Sequence, residues 1–206
     1  MKAKRDVYLS VDLDYFYSDA VTGSGLDFVK ELYSLNRPTT LFKHHQTILH
    51  DITKQYCLVD NVDYHSDIVE PECNRTITCA NWVNHVYGRN KAVYQWRYPN
   101  REECITQGYG LCHLMDDHGQ DHNPFYHPEW KLWSKVTRRY GLEGIDFGMV
   151  DRIAFILSPA WLRPLICYDA LEFIRCHNKT RYFSQRTIKA FKTILNNPTK
   201  EWGRTE

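Results

Sequence analysis

The first third of the chain alternates short apolar runs with stretches whose apolar residues recur three and four apart. Val7-Tyr8-Leu9-Ser10-Val11 reads as a buried strand. After a turn at Gly23-Ser24-Gly25, the positions Leu26, Phe28, Val29, Leu32, Tyr33 and Leu35 predict a helix that stops at Asn36-Arg37-Pro38. Thr39–Lys43 predicts a second strand. His44-His45 then opens a helix through Ile48, Leu49, Ile52 and Tyr56, and Leu58–Val62 predicts a third strand. This βαβαβ rhythm predicts an α/β fold of three layers, α/β/α, around a mainly parallel sheet, whose ligands gather at the carboxyl ends of the strands.

The rest is less regular. Ala92–Tyr98 is an aromatic-rich strand candidate. From about 99 to 128 the chain is polar and without a period, which inside one domain points to an insertion or lid. Glu129–Tyr140 reads as a helix stopped by Gly141, Val150–Leu157 as a buried strand ending at Ser158-Pro159, and Tyr168–Cys176 and Ser184–Leu195 as two closing helices.

Composition narrows the class. The 206 residues suit a single domain over 1–206, and 43% hydrophobic with 14% aromatic content makes it globular. No apolar run approaches the roughly 20 residues of a membrane helix, so no membrane partner is expected. The basic start at Met1–Asp6 leads into a strand rather than a signal-peptide core, so a cytoplasmic location is expected. Seven cysteines without a CxxC spacing fit reduced thiols. A net charge of +1 argues against nonspecific nucleic-acid binding by the whole chain. Arg175, Lys179, Arg181, Arg186, Lys189 and Lys192 leave nucleic acid or phosphate open as a partner of the C-terminal helix.

The chemistry is concentrated where two strands end. Val7–Val11 runs into Asp12 and Asp14, and Leu58–Val62 into Asp63, His65 and Asp67, each set on alternate positions. A carboxylate carried on an apolar strand costs several kcal/mol unless its charge is compensated, and a shared cation compensates several at once. Of the adjacent histidines at the end of the second strand, alternation lets one face inward, and His45 is preferred over His44. His50 reads as an exposed or core histidine. In the irregular segment, Asp117 and His118 could reach the same site and orient a small-molecule substrate. Cys112, His113, His118 and His122 offer a rival zinc site there.

Asp63-Tyr64-His65-Ser66-Asp67 resembles the D-x-H-x-D metal motif of the arginase/agmatinase (ureohydrolase) superfamily, and Ser10-Val11-Asp12-Leu13-Asp14 resembles its S-x-D-x-D motif. Thr78–His85 is similar to the segment that follows D-x-H-x-D in arginases, and Leu41–His45 to the stretch with the strand-end histidine that precedes it. The pattern also resembles a less characterised arginase-related family with a DIDLDFF-type segment. Here the S-x-D-x-D-like motif comes first, whereas in arginases it comes last, so the order reads as a circular permutation. The resemblance implies a dinuclear manganese site, with iron and zinc as other candidates. Asp12 and Asp63 would bridge, and Asp14, His45, His65 and Asp67 would complete the ligands. It also implies His85 as proton shuttle, Asn81 as substrate-binding residue, and hydrolysis of a guanidinium, amidine or amide carbon–nitrogen bond by an activated water. A metal-dependent phosphoesterase and a non-catalytic binding protein of the same fold remain the alternatives.

Overall fold

A computed structural model describes residues 6–17, 25–52, 56–65, 67, 77–79, 81–86, 92–99 and 135–199. Seven strands form one sheet: β1 (Val7–Asp12), β2 (Thr39–Phe42), β3 (Leu58–Val62), β4 (Val93–Tyr98), β5 (Thr137–Tyr140), β6 (Val150–Ile156) and β7 (Thr180–Tyr182). Their order is β5-β4-β3-β1-β6-β2-β7, and every neighbouring pair is parallel. Parallel sheets are covered on both faces, which is why every position of β1 and β2 is buried.

Helix α1 (Leu26–Ser34), the single turn α2 (Val83–His85), α3 (Tyr168–Cys176) and α4 (Gln185–Asn196) complete the described regular structure, with 3-10 turns at Leu13–Tyr17 and His45–His50. One face of the sheet packs Leu9, Val11, Ile153 and Phe155 against Val29 and Leu32 of α1, Leu171 and Ile174 of α3, and Phe191 and Ile194 of α4. The other packs Tyr8, Val59, Tyr94, Trp96 and Ile156 against Ile48, Ile52, Trp82, Val83 and Val86. The molecule is thus a three-layer α/β/α sandwich. Gly25 starts α1 with a φ of 70°, and a Cβ there would lie 2.5 Å from the Phe16 ring, so both conformation and space demand glycine.

Three elements differ from the sequence reading. Residues 137–140, expected to end a helix, form β5, because pairing with Gln95–Tyr98 outweighs a helical spacing that rests on few residues. The helix expected from His44 is a 3-10 segment of six residues. β7 is three residues long, too short to show a period. The expected lid lies almost wholly outside the described residues, together with Asp117, His118 and the rival zinc ligands. No described helix is long and apolar enough to cross a membrane, and no disulfide joins the described cysteines, Cys57, Cys79, Cys167 and Cys176, to one another.

What positions the site is the connection pattern. The chain leaves β1 towards the β6–β2 side and leaves β3 towards β4, although β1 and β3 are neighbours. Where successive connections part in this way, the loops at the carboxyl ends open a crevice. Asp12 and Asp63 stand at that point.

Candidate metal centre

Register and the two-residue period build the floor. Tyr8, Ser10 and Asp12 of β1 lie on the same face as Val59, Asn61 and the following Asp63, with Ser10 directly opposite Asn61. On this face the chain returns from β2, and the 3-10 turn at His45 drops the imidazole onto them. His45 is buried, whereas His44 precedes it in extended conformation and is half-buried.

His45 Nδ1 faces three carboxylates, at 3.1 Å from Asp12 Oδ2, 3.2 Å from Asp63 Oδ2 and 3.0 Å from Asp67 Oδ2. On its far side, Nε2 is 3.0 Å from Ser10 Oγ and 3.1 Å from Asn61 Oδ1. The second half of the cluster lies across Asp63. His65 Nδ1 is 3.1 Å from Asp14 Oδ2 and 3.8 Å from Asp63 Oδ1. One Asp63 oxygen therefore faces each histidine. Donor atoms of Asp12, His45 and Asp63 converge within 4.8 Å, and so do those of Asp14, Asp63 and His65, with Asp63 common to both groups.

The surroundings fix these side chains. Asp12 Oδ1 accepts from the Asp14 backbone N–H, and Oδ2 from the Ser158 hydroxyl. Ser158 has a φ of 37°, and its own N–H donates to Lys43 O just before the histidine pair. Asp67 also has a positive φ, 55°, and its Oδ2 accepts from Trp82 Nε1 at 2.5 Å. Two non-glycine residues in the left-handed region at one site are backbone strain that the surroundings sustain. The Trp82 ring stacks on His45 at 5.0 Å and 16°. Trp161, delivered by the turn that begins at Ser158, lies 5.0 Å from the His65 ring.

Electrostatics makes the cluster costly by itself. Burial, then neighbouring Asp12, pushes the Asp14 carboxyl up to about 6, against the pull of His65 and His45. Burial and the carboxylates of Asp67, Asp14 and Asp12 hold Asp63 well above the usual carboxylate range. For His45, burial opposes the charged form, but Asp63, Asp67 and Asp12 outweigh it and raise the imidazole well above its ordinary value. His65 moves upward for the same reasons, with Asp14 the main partner. Asp14 is buried with His65 Nδ1 beside its Oδ2, while its Oδ1 accepts no hydrogen bond among the described residues. Four buried carboxylates against two imidazoles call for cations, and an oxygen-rich set with one imidazole to each half fits two divalent ions.

The sequence-derived candidates divide as follows. Asp12, Asp14, His45, Asp63, His65 and Asp67 come together. Asn81 is buried, and its Oδ1 accepts from the Thr78 backbone N–H at 2.8 Å, which holds the loop leading to Trp82. His85 ends α2 with its side chain half-buried. The basic residues lie elsewhere: Arg186, Lys189 and Lys192 occupy the solvent side of α4, and Arg175 pairs with Glu172. Sequence reasoning missed Asn61, Trp82 and Ser158 as supports of the cluster. The polar Asn61 inside a buried strand was the one signal available. No protein-family model, curated protein or solved structure matches the chain.

Proposed function

We propose that the protein is a metal-dependent hydrolase acting on a non-peptide carbon–nitrogen bond of a guanidinium, amidine or amide, in the manner of the arginase-like enzymes its motifs resemble. The observation that carries this reading is the Asp63 carboxylate between His45 and His65, with Asp12 and Asp67 on one side and Asp14 on the other. Asp12, Asp67 and His45 would hold one ion, Asp14 and His65 a second, and Asp63 both. Manganese is the leading candidate for such a donor set, with iron and zinc next. Ions bound there supply an acidified water and a Lewis acid for hydrolysis near neutral pH.

The chain's own groups do the rest in this reading. Trp82 and Ser158 keep Asp67 and Asp12 aimed inward, and the Trp161 ring beside His65 offers a planar substrate an apolar wall. His85 is the proposed proton carrier.

The test is metal content, by elemental analysis of protein purified without added metal, beside an Asp12→Ala/Asp63→Ala double variant. The expected result is close to two divalent ions per wild-type chain and none in the variant, followed by ammonia or urea release from a panel of guanidino, amidino and amide compounds. Release of phosphate from phosphate esters instead assigns the site to a phosphoesterase. A wild-type protein that takes up no divalent ion even with manganese supplied sinks the reading.

A further inference from the structure

We propose that Asn61 is a positioning residue that fixes His45 and Asp63 in one alignment, so that an ion meets both together. The inference rests on reading the cluster as a metal centre. Asn61 is fully buried on β3 and meets the Nε2 edge of the His45 ring at 3.1 Å. Its Nδ2 donates at 3.1 Å to Asp63 Oδ2 and at 2.9 Å to Tyr94 Oη, which engages both amide hydrogens. Turning the amide over would set its oxygen against a carboxylate oxygen, so the chemistry allows one orientation. Asn61 Oδ1 therefore faces His45 Nε2, and only an N–H can meet it there. The hydrogen of a neutral His45 sits on Nε2, and Nδ1 offers a lone pair to the space among Asp12, Asp63 and Asp67.

Ser10, 3.0 Å from the same Nε2, cannot set this alone, because a hydroxyl serves as donor or acceptor equally well. The amide also suits the charge. A carboxylate at 61 would add a fifth negative charge, and an apolar side chain would leave His45 Nε2 to Ser10 and remove a donor from Asp63. The arrangement closes on itself: Asn61 bonds Tyr94, the Tyr94 ring meets Trp82 edge-on at 5.7 Å, Trp82 stacks on His45, and His45 returns to Asn61. Partners of this kind, outside the ligand set itself, typically change metal affinity by about 10–100-fold when removed.

Manganese(II) affinity, measured by calorimetry on wild type, Asn61→Leu, Tyr94→Phe, His45→Ala and Asn61→Leu/His45→Ala, tests this, with metal-free melting temperatures as the check on folding. Asn61→Leu is expected to weaken the tightest ion by about 10–100-fold. Tyr94→Phe, which loosens only one anchor of the amide, is expected to weaken it by about 2–10-fold, the range of one neutral hydrogen bond. In the His45→Ala background the Asn61 substitution should cost several-fold less, since the ring it orients is gone. Pulsed EPR of the manganese-loaded protein should show a changed imidazole nitrogen coupling in Asn61→Leu. Wild-type affinity and unchanged coupling in that variant overturn the proposal while the metal centre stands, and so does its full loss in the His45→Ala background. Should Asn61→Leu not fold, Tyr94→Phe decides, and no change in affinity there is equally fatal. A wild-type protein that binds no manganese removes the metal centre and this role together.

Discussion

Asp14 is held under opposed demands. Its carboxyl is buried beside Asp12 and Asp63 and is pushed up to about 6, with His65 Nδ1 3.1 Å from Oδ2 and no hydrogen bond from a described residue to Oδ1. Such a group is well placed for a cation and badly placed without one. Replacing it by asparagine removes the buried charge and, with it, the ion pair to His65, which does not fully offset the cost of burial. Asp14→Asn is thus expected to stabilise the metal-free protein by about 3 kcal/mol at neutral pH, which for a chain of this size is roughly 6–12 °C in melting temperature. It should also lower the bound metal from two ions to one. Scanning calorimetry with chelator present and native mass spectrometry check the two halves. A metal-free variant that melts below wild type refutes the account of Asp14. At this scale the ligand candidates were legible because they alternate at strand ends, a pattern that depends only on neighbours in sequence. Asn61, Trp82 and Ser158 were not, since their roles come from contacts across strands: Asn61 sits opposite Ser10 only through the β1–β3 register, and Ser158 reaches Asp12 only because β6 lies beside β1.

Among the elements, β3 and β4 carry their charged residues, Asp60 and Arg97, on one face. On the face opposite the Asp–His cluster, Asp60 accepts from Arg97 Nε at 2.8 and 2.9 Å and from Gln95 at 2.9 Å. The Arg97 Nη atoms reach the carbonyls of Glu143 at 2.8 Å and Gly144 at 3.3 Å. This pair ties the loop before β6 to the sheet beside a cavity of about 340 Å³ lined in part by Leu58, Arg139 and Asp146. Burial raises the Asp60 carboxyl, and Arg97 opposes that rise. Arg97→Met leaves a buried carboxylate without its cation and is expected to cost about 3 kcal/mol, read from the urea midpoint. Asp60→Leu/Arg97→Met should recover most of the loss, and a double variant as weak as the single one would mean that the arginine's carbonyl contacts carry the stability. The sequence showed neither this clamp nor β5. Asp60 and Arg97 look like ordinary polar positions until register brings Gln95 opposite Asp60, and four residues of β5 cannot establish a period.

For the whole molecule, the order β5-β4-β3-β1-β6-β2-β7 joins residues from distant parts of the chain into one charged centre, so any ion bound there would be coupled to folding. Anything that binds only the folded chain stabilises it by mass action, about 2.7 kcal/mol at 100 times the dissociation constant. For a chain of this size that is roughly 5–11 °C. Manganese is expected to raise the melting temperature at pH 7.5 by that order, and chelator to reverse it. The pH dependence has a definite sign. Asp14, Asp63, His45 and His65 all have raised pKa values in the metal-free fold, so its stability gains from protons and loses that gain as pH rises through these values. Bound ions require the carboxylates charged and the imidazoles neutral, which reverses the preference. The gap between metal-loaded and chelated melting curves should therefore narrow as pH falls from 7.5 through about 6, the Asp14 value, towards 5. Taking the difference between the two curves cancels every titrating group that the ions do not touch. A gap that stays constant across this range would mean that the ions bind somewhere other than this cluster.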